Sequence, residues 1–250
     1  MDDEDYSRRK GVADEPHWQE FVQGLGGGEL VAPLIKRQGV KNADFLFRQA
    51  RVVAELKVLE TEFLDTEGIR QKVVDAFSRY AGTDPEDDQG LRLRHELIRI
   101  LKAPLQRIVN KANRQIKETK QELGLVGWRG IIIIVNDGFR GLPPDLVMGL
   151  IASILDGKNY SSTDGFIYQT NHYVELADNP YAVLLWAPQY DPKADDDLVD
   201  FVNDLGRNWR KFSEAKDGPY DYSGEHETLD LEGALVVTGP LRQRRYTGDL

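Results

Sequence analysis

The chain has no cysteine. That absence removes thiolate nucleophiles, disulfide frameworks, iron–sulfur clusters and cysteine-ligated zinc from the chemistry open to it. Histidine is scarce as well. The four are His17, His95, His172 and His226, and their scattered spacing matches no HExxH or related zinc signature. A bound metal would therefore fall to carboxylates. Long apolar runs are also missing: no stretch approaches the roughly 18 residues that a membrane span needs. The opening MDDEDYSRRKGVADEP is too acidic and too polar for a secretory signal. The expectation is a cytoplasmic protein with no membrane partner.

What is present suits one large globular domain: 250 residues, of which 40% are hydrophobic. The formal net charge is −10, from 32 basic and 42 acidic residues. Taken as a sum, that charge opposes a polyanionic partner, because like charges repel at long range. Its distribution points the other way. Residues 91–120 hold nine basic side chains against Glu96 and Glu118, a local charge of +7. The acidic residues gather in the amino-terminal tail, at 84–88 and at 190–204. An acidic chain with one basic segment can still present a phosphate-binding surface.

Residues 1–14 are charged and poor in apolar side chains, which predicts a disordered acidic tail outside a single domain at 15–250. Trp18, Phe21, Val22 and Leu25 recur at helical spacing and predict an amphipathic helix over 15–25, ended by Gly26, Gly27 and Gly28. No strand precedes this GGG, so it reads as a helix breaker and not as a phosphate loop. Two short apolar stretches at 43–47 and 51–59, with RQA between them, predict a hairpin. A helix over 69–80 and an acidic loop at 84–89 follow. Residues 91–123 are strongly helical, either one rod or two pieces meeting near Pro104. GIIIIVNDG at 130–138 is the clearest buried strand, β-branched and continuous. Asn136 and Asp137, at its end, read as turn chemistry. Further on, the pattern gives helix at 143–155, strands at 165–169 and 182–187, and helix at 196–212. An edge strand at 234–238 lies within a C-terminal extension spanning 190–250. Tyr168, His172 and Tyr173 read as strand packing and loop. The expected class is α/β (α+β), a mixed central sheet flanked by helices.

The chemistry concentrates in NADFLFRQARVVAELKVLE. A strand alternates its side chains, so Val53, Glu55, Lys57 and Leu59 share one face and Glu55 sits beside Lys57. Burying a carboxylate and an ammonium in so apolar a strand costs several kcal/mol unless they are paired, hydrogen-bonded or metal-bound. Asp44 opens the preceding strand, where the hairpin brings its carboxylate toward Glu55. Two carboxylates offer hard oxygen ligands for Mg²⁺ or Mn²⁺, which keep water in their other positions. A metal there would lower the pKa of a bound water and neutralise charge on a phosphate, and Lys57 would orient the water or stabilise the developing charge.

Asp44, a gap, then Glu55, Leu56 and Lys57 resemble the pattern of the PD-(D/E)XK nucleases, with Ala43 where that pattern has proline. The resemblance covers residues 41–77. It implies a restriction-endonuclease-like core, a metal-dependent cut in DNA or, less often, RNA, roles in restriction, defence or repair, and in many members a homodimer. It also implies two further site residues: Glu20, for the first-helix glutamate near the metal, and Gln71, for the helix after the ExK strand. The residue four after Gln71 is Asp75 where some exonuclease branches carry tyrosine. Lys111, Arg114, Lys117 and Lys120, spaced by three on the basic helix, form a candidate nucleic-acid-binding stripe. The competing readings are an ordinary ion pair on a strand, a solvated basic face, and a nuclease-like fold kept as an inactive scaffold.

Overall fold

The structure, a computed structural model, describes residues 6–82, 86–157, 159–177, 179, 181–224 and 231–237. His226 lies outside the described residues, as do parts of the predicted acidic loop and the end of the predicted last strand. Helix α1 (Glu15–Gln23) starts where the Asp14 carboxylate accepts the His17 N–H at 2.9 Å. It stops at Gly24, and a side chain at Gly28 would lie 2.7 Å from the Phe47 ring. The GGG thus ends the helix and lets the chain pass close to the sheet.

Strand β1 (Glu29–Leu30) pairs antiparallel with β2 (Phe45–Phe47), which pairs antiparallel with β3 (Val52–Leu59). Between β2 and β3 the chain turns through Arg51 at φ 56°. Helices α2 (Glu67–Arg79) and α3 (Asp88–Glu122) carry it to β4 (Arg129–Asn136), parallel to β3. Helix α4 (Pro144–Leu155) leads on to β5 (Gly165–Thr170), parallel to β4. Short strands β6 (Val174–Glu175), β7 (Ala182–Val183) and β9 (Leu235–Val236) form a small sheet in the order β7-β6-β9. Strand β8 (Trp186–Tyr190) closes the main sheet antiparallel to β5, and α5 (Asp196–Asp217) follows. The six-stranded order is β1-β2-β3-β4-β5-β8.

Because β3, β4 and β5 step in one direction across the sheet, same-handed crossovers put their connecting helices on one face. Leu46, Val53, Ile132, Ile134, Phe166 and Tyr168 meet α3 and α4 there, through Leu105, Val109, Ile116, Val147 and Ile151. The opposite face, with Phe45, Ala54, Ile131, Ile133 and Ile167, is covered by Trp18 and Phe21 of α1 and by Val202, Trp209 and Phe212 of α5. Both faces of β4 are buried, which is why its unbroken β-branched run from Ile131 to Val135 needs no polar alternation until Asn136. Trp18 is fully buried, stacks on Trp209 at 4.3 Å and donates its indole N–H to Gln169 at 3.1 Å. The structure is mixed α/β, with a central mixed sheet flanked by helices, as the pattern of elements predicts.

Three expectations are corrected. Residues 6–14 are not a loose tail: the Gly11 N–H donates to the Asn171 carbonyl at 3.0 Å, Tyr6 meets Tyr173 edge to face, and Ala13 is buried. One apolar residue and a few backbone bonds suffice to seat a segment whose composition reads as solvated. Residues 190–217 are not an extension, because β8 ends at Tyr190 within the main sheet and α5 supplies Leu198, Val202, Leu205, Trp209 and Phe212 to one core layer. The strand at 182–187 divides: Ala182 and Val183 join the small sheet, and the main-sheet strand starts at Trp186 and runs through Pro188. Proline reads as a breaker, yet an edge strand has a free side where its missing N–H costs nothing. Of the two forms open for residues 91–123, the single rod is the one found: α3 continues through Pro104 as one helix of 35 residues. Leu105, Val109, Ala112 and Ile116 are buried just beyond it, and that packing outweighs the one lost helical hydrogen bond.

Candidate active site

Asp44 lies directly before β2, and the β2–β3 register that pairs Phe45 with Ala54 sets Asp44 opposite Glu55. Glu55 is fully buried on the face covered by α3, between Val53 and Lys57. One of its carboxylate oxygens takes the Lys57 ammonium; the other, Oε2, is buried with no donor among the described residues, so it is unpartnered when Glu55 is ionised, whereas a protonated Glu55 can hydrogen-bond Asp44. Burial, with the neighbouring Asp44 charge adding to it and Lys57 partly offsetting both, pushes the Glu55 carboxyl up to about 8. At neutral pH, with protein groups alone around it, Glu55 therefore favours its protonated form.

The backbone explains why these three side chains meet. Strand β2 is shorter than β3, so on that side the Leu56 peptide groups extend past the end of the ladder. The Leu56 N–H donates to Asp44 Oδ2 at 2.8 Å, and the Lys57 ammonium donates to the Leu56 carbonyl at 3.2 Å. The charged residues replace a missing strand for one residue. Lys57 keeps some access to water, with its side chain 16% exposed, so the site opens on its Lys57 side.

Helix α3 fixes the approach to Asp44. Thr119 Oγ1, fully buried, accepts the Ala43 N–H at 2.7 Å; Glu118 accepts the Lys41 N–H at 2.9 Å; and Gln115 Nε2 donates to the Asn42 carbonyl at 2.8 Å. Gln115 Oε1 is buried without a partner among the described residues. Sequence reading misses Thr119 and Gln115, because polar residues scattered along an amphipathic helix carry no signal of the loop they will face. The one available hint is that both interrupt the face that Ala112 and Ile116 bury.

Two other predicted residues lie elsewhere. Glu20 is on α1, which packs on the opposite face of the sheet, and its carboxylate holds Lys216 of α5 at 2.6 Å. Gln71 is exposed on α2 and donates to Asp75 at 2.7 Å. The structure brings neither into the Asp44–Glu55–Lys57 cluster.

The basic stripe is corrected too. Three residues of an α-helix fall about 60° short of a turn, so four side chains spaced by three wrap about half its circumference. Lys111, Arg114 and Lys117 are exposed, with Arg114 paired to Glu118 at 2.6 Å. Lys120 is turned inward, donating to the Ser162 carbonyl at 3.1 Å beside Asp164, and burial lowers its pKa. Asn136 behaves as expected: its side chain closes the turn after β4 by bonding both backbone groups of Phe139.

Among the described residues no group of three or more His, Asp and Glu side chains could hold a metal. The candidate site offers two carboxylates, and the unpartnered Glu55 oxygen is an observation that a cation would explain. Mg²⁺ is commonly held by one or two carboxylates with water and phosphate in its other positions, so the donor set fits. No helix among the described residues is long and apolar enough to cross a membrane. No protein-family profile, no curated protein and no solved structure matches the chain.

Proposed function

We propose that the chain is a nuclease of the PD-(D/E)XK kind, hydrolysing phosphodiester bonds in DNA with Mg²⁺ or Mn²⁺. The observation that carries this reading is Glu55: a fully buried carboxylate with one oxygen on Lys57, the other unpartnered, and a second carboxylate opposite it. An ionised, buried Glu55 beside a second carboxylate is costly to the fold, and a cation held by the two would offset that cost. Asp44 and Glu55 would hold the metal. When bound, the metal supplies charge neutralisation on the scissile phosphate and acidifies a water. Lys57 holds Glu55 in place and presents an ammonium to the negative charge that grows on the phosphate. The order of strands supports the resemblance: an antiparallel β1-β2-β3 with Asp44 directly before β2 and the ExK residues on β3, then β4 parallel to β3.

A second reading rests on Leu56. Asp44 and Lys57 satisfy its two backbone groups where β2 ends, a structural duty that an inactive scaffold would also need. Cleavage separates the readings. Plasmid, linear and single-stranded DNA, and RNA, incubated with Mn²⁺ or with EDTA, should show metal-dependent cutting by the native chain and none by Asp44→Asn or Lys57→Ala. A folded native chain that binds Mn²⁺ at this site and cuts none of them supports the scaffold.

A further inference from the structure

The amino-terminal half of α3 stands away from the sheet. From Asp88 to Ala103 its buried residues are Gly90 and Ile100, and its packing partner is α2, through the small cluster of Ile69, Ala76 and Ile100. Where the last turn of α2 meets α3 there is an open cleft of about 350 Å³ lined by Arg79, Tyr80, Arg92, His95, Glu96 and Arg99. The four α3 residues fall at i, i+3, i+4 and i+7 and so share one face, which α2 extends with Arg79 and the capping residue Tyr80.

The charges in this cleft do not balance. Glu96 is its one carboxylate, and it already serves two guanidinium groups, accepting from Arg79 at 2.7 Å and lying 3.5 Å from Arg99. Its side chain is 11% exposed, so it works as a fixed post that holds both forks at the cleft wall. Among the described residues Arg92 and His95 have no hydrogen-bond or ion-pair partner. Three guanidinium groups around one carboxylate leave a net positive site whose repulsion an entering anion relieves. The planar forks match phosphate oxygens, which they can grip with paired hydrogen bonds.

We propose that the α2–α3 cleft is a phosphate-binding site, and that its ligand is a phosphodiester of a nucleic-acid backbone. The cleft is open, so it suits a passing backbone better than an enclosed nucleotide. The proposal stands on these residues alone and does not depend on the Asp44 site. It moves the nucleic-acid contact from the Lys111–Lys120 stripe to the other half of the same helix.

The test is equilibrium binding of the full chain in EDTA, where no metal-dependent cutting can occur. The probes are a fluorescent duplex, a single strand of the same sequence, and inorganic phosphate as competitor. The expected result is that Arg92→Gln with His95→Gln weakens duplex binding about tenfold and lowers the slope of log affinity against log salt by about one or more. Arg92→Lys should retain part of the affinity. Competition by phosphate with no preference for either polynucleotide keeps the site but assigns it to a free phosphate. Duplex binding within about twofold of the native chain in a double variant with native circular dichroism overturns the proposal, as does the absence of binding to all three probes. A native chain that binds duplex through this cleft and cuts no nucleic acid with Mn²⁺ counts against the catalytic reading alone.

Discussion

Replacing Glu55 with glutamine should stabilise the chain at high pH and leave its stability at low pH nearly unchanged. The side chains are close in shape, and the glutamine amide can still accept from Lys57, so packing is preserved. What changes is ionisation. In the folded chain the Glu55 carboxyl is pushed from 4.5 up to about 8, chiefly by burial. Between those values the folded protein holds a proton that the unfolded chain has released, so rising pH favours unfolding across that window. Fully expressed above pH 8, the effect amounts to at most about 5 kcal/mol, since each pH unit of displacement is worth about 1.4 kcal/mol. The assay is urea unfolding of both proteins in EDTA from about pH 5 to about pH 9. The difference, variant minus native, should start within about 1 kcal/mol of zero and grow by roughly 4 kcal/mol, because both side chains are neutral at the acid end and only one can ionise at the other. Working with the difference cancels every other titrating group common to both chains. A difference that stays flat with pH, or a variant that is less stable at pH 9, would refute the claim that Glu55 ionises against its surroundings.

Thr119→Val should destabilise the chain by about 1–3 kcal/mol in chemical unfolding, since it leaves the buried Ala43 N–H without its acceptor, and it should also weaken activity by loosening Asp44. Gly130→Ala should cost several kcal/mol and lower the melting temperature markedly, because the added carbon would lie 2.0 Å from the Ser162 carbonyl oxygen, a backbone atom that cannot move aside freely. Lys57→Met should reduce metal-dependent cleavage about a hundredfold or more while the far-ultraviolet circular dichroism stays native. His172, buried at the carboxyl end of β5, has its pKa lowered to about 4 by burial, with the Arg140 charge adding to the effect. Its neutral form therefore favours folding fully above pH 6.5, and that contribution, at most about 3 kcal/mol, is lost as pH falls toward 4. His172→Phe should flatten the acid limb of the unfolding profile.

Most of the sheet is legible in the sequence because its signals are local. IIIIV announces a strand buried on two faces, and the alternation of Val53, Glu55, Lys57 and Leu59 is enough by itself to place the charged pair on one face. Asp44 is legible as well, since a hairpin with so short a turn fixes which residue opposes Glu55. Features that depend on contacts distant in the chain are not legible. Strand β1 has two residues and exists only because β2 offers it an edge. Residues 6–14 are held by Asn171, Tyr173 and Asp137, which their own composition cannot reveal. Glu20 reads as available because helical periodicity tells which side of α1 is apolar, but not which face of the sheet that helix covers. Counting in threes misplaces Lys120, since the drift of an α-helix accumulates over nine residues, a point that angular geometry alone settles. The acidic total charge hides the cleft at Arg92 and His95, where local imbalance, and not the net sum, sets the field.

The claim that Asp44 and Glu55 form a divalent-metal site is tested most directly by calorimetric titration of Mn²⁺ into the metal-free chain at pH 7, in buffers of different ionisation enthalpy. The predicted result is binding that releases about one proton, because Glu55 must ionise to become a ligand, and that disappears in Asp44→Asn and Glu55→Gln. Binding that survives both substitutions, or binding with no proton released, would contradict it.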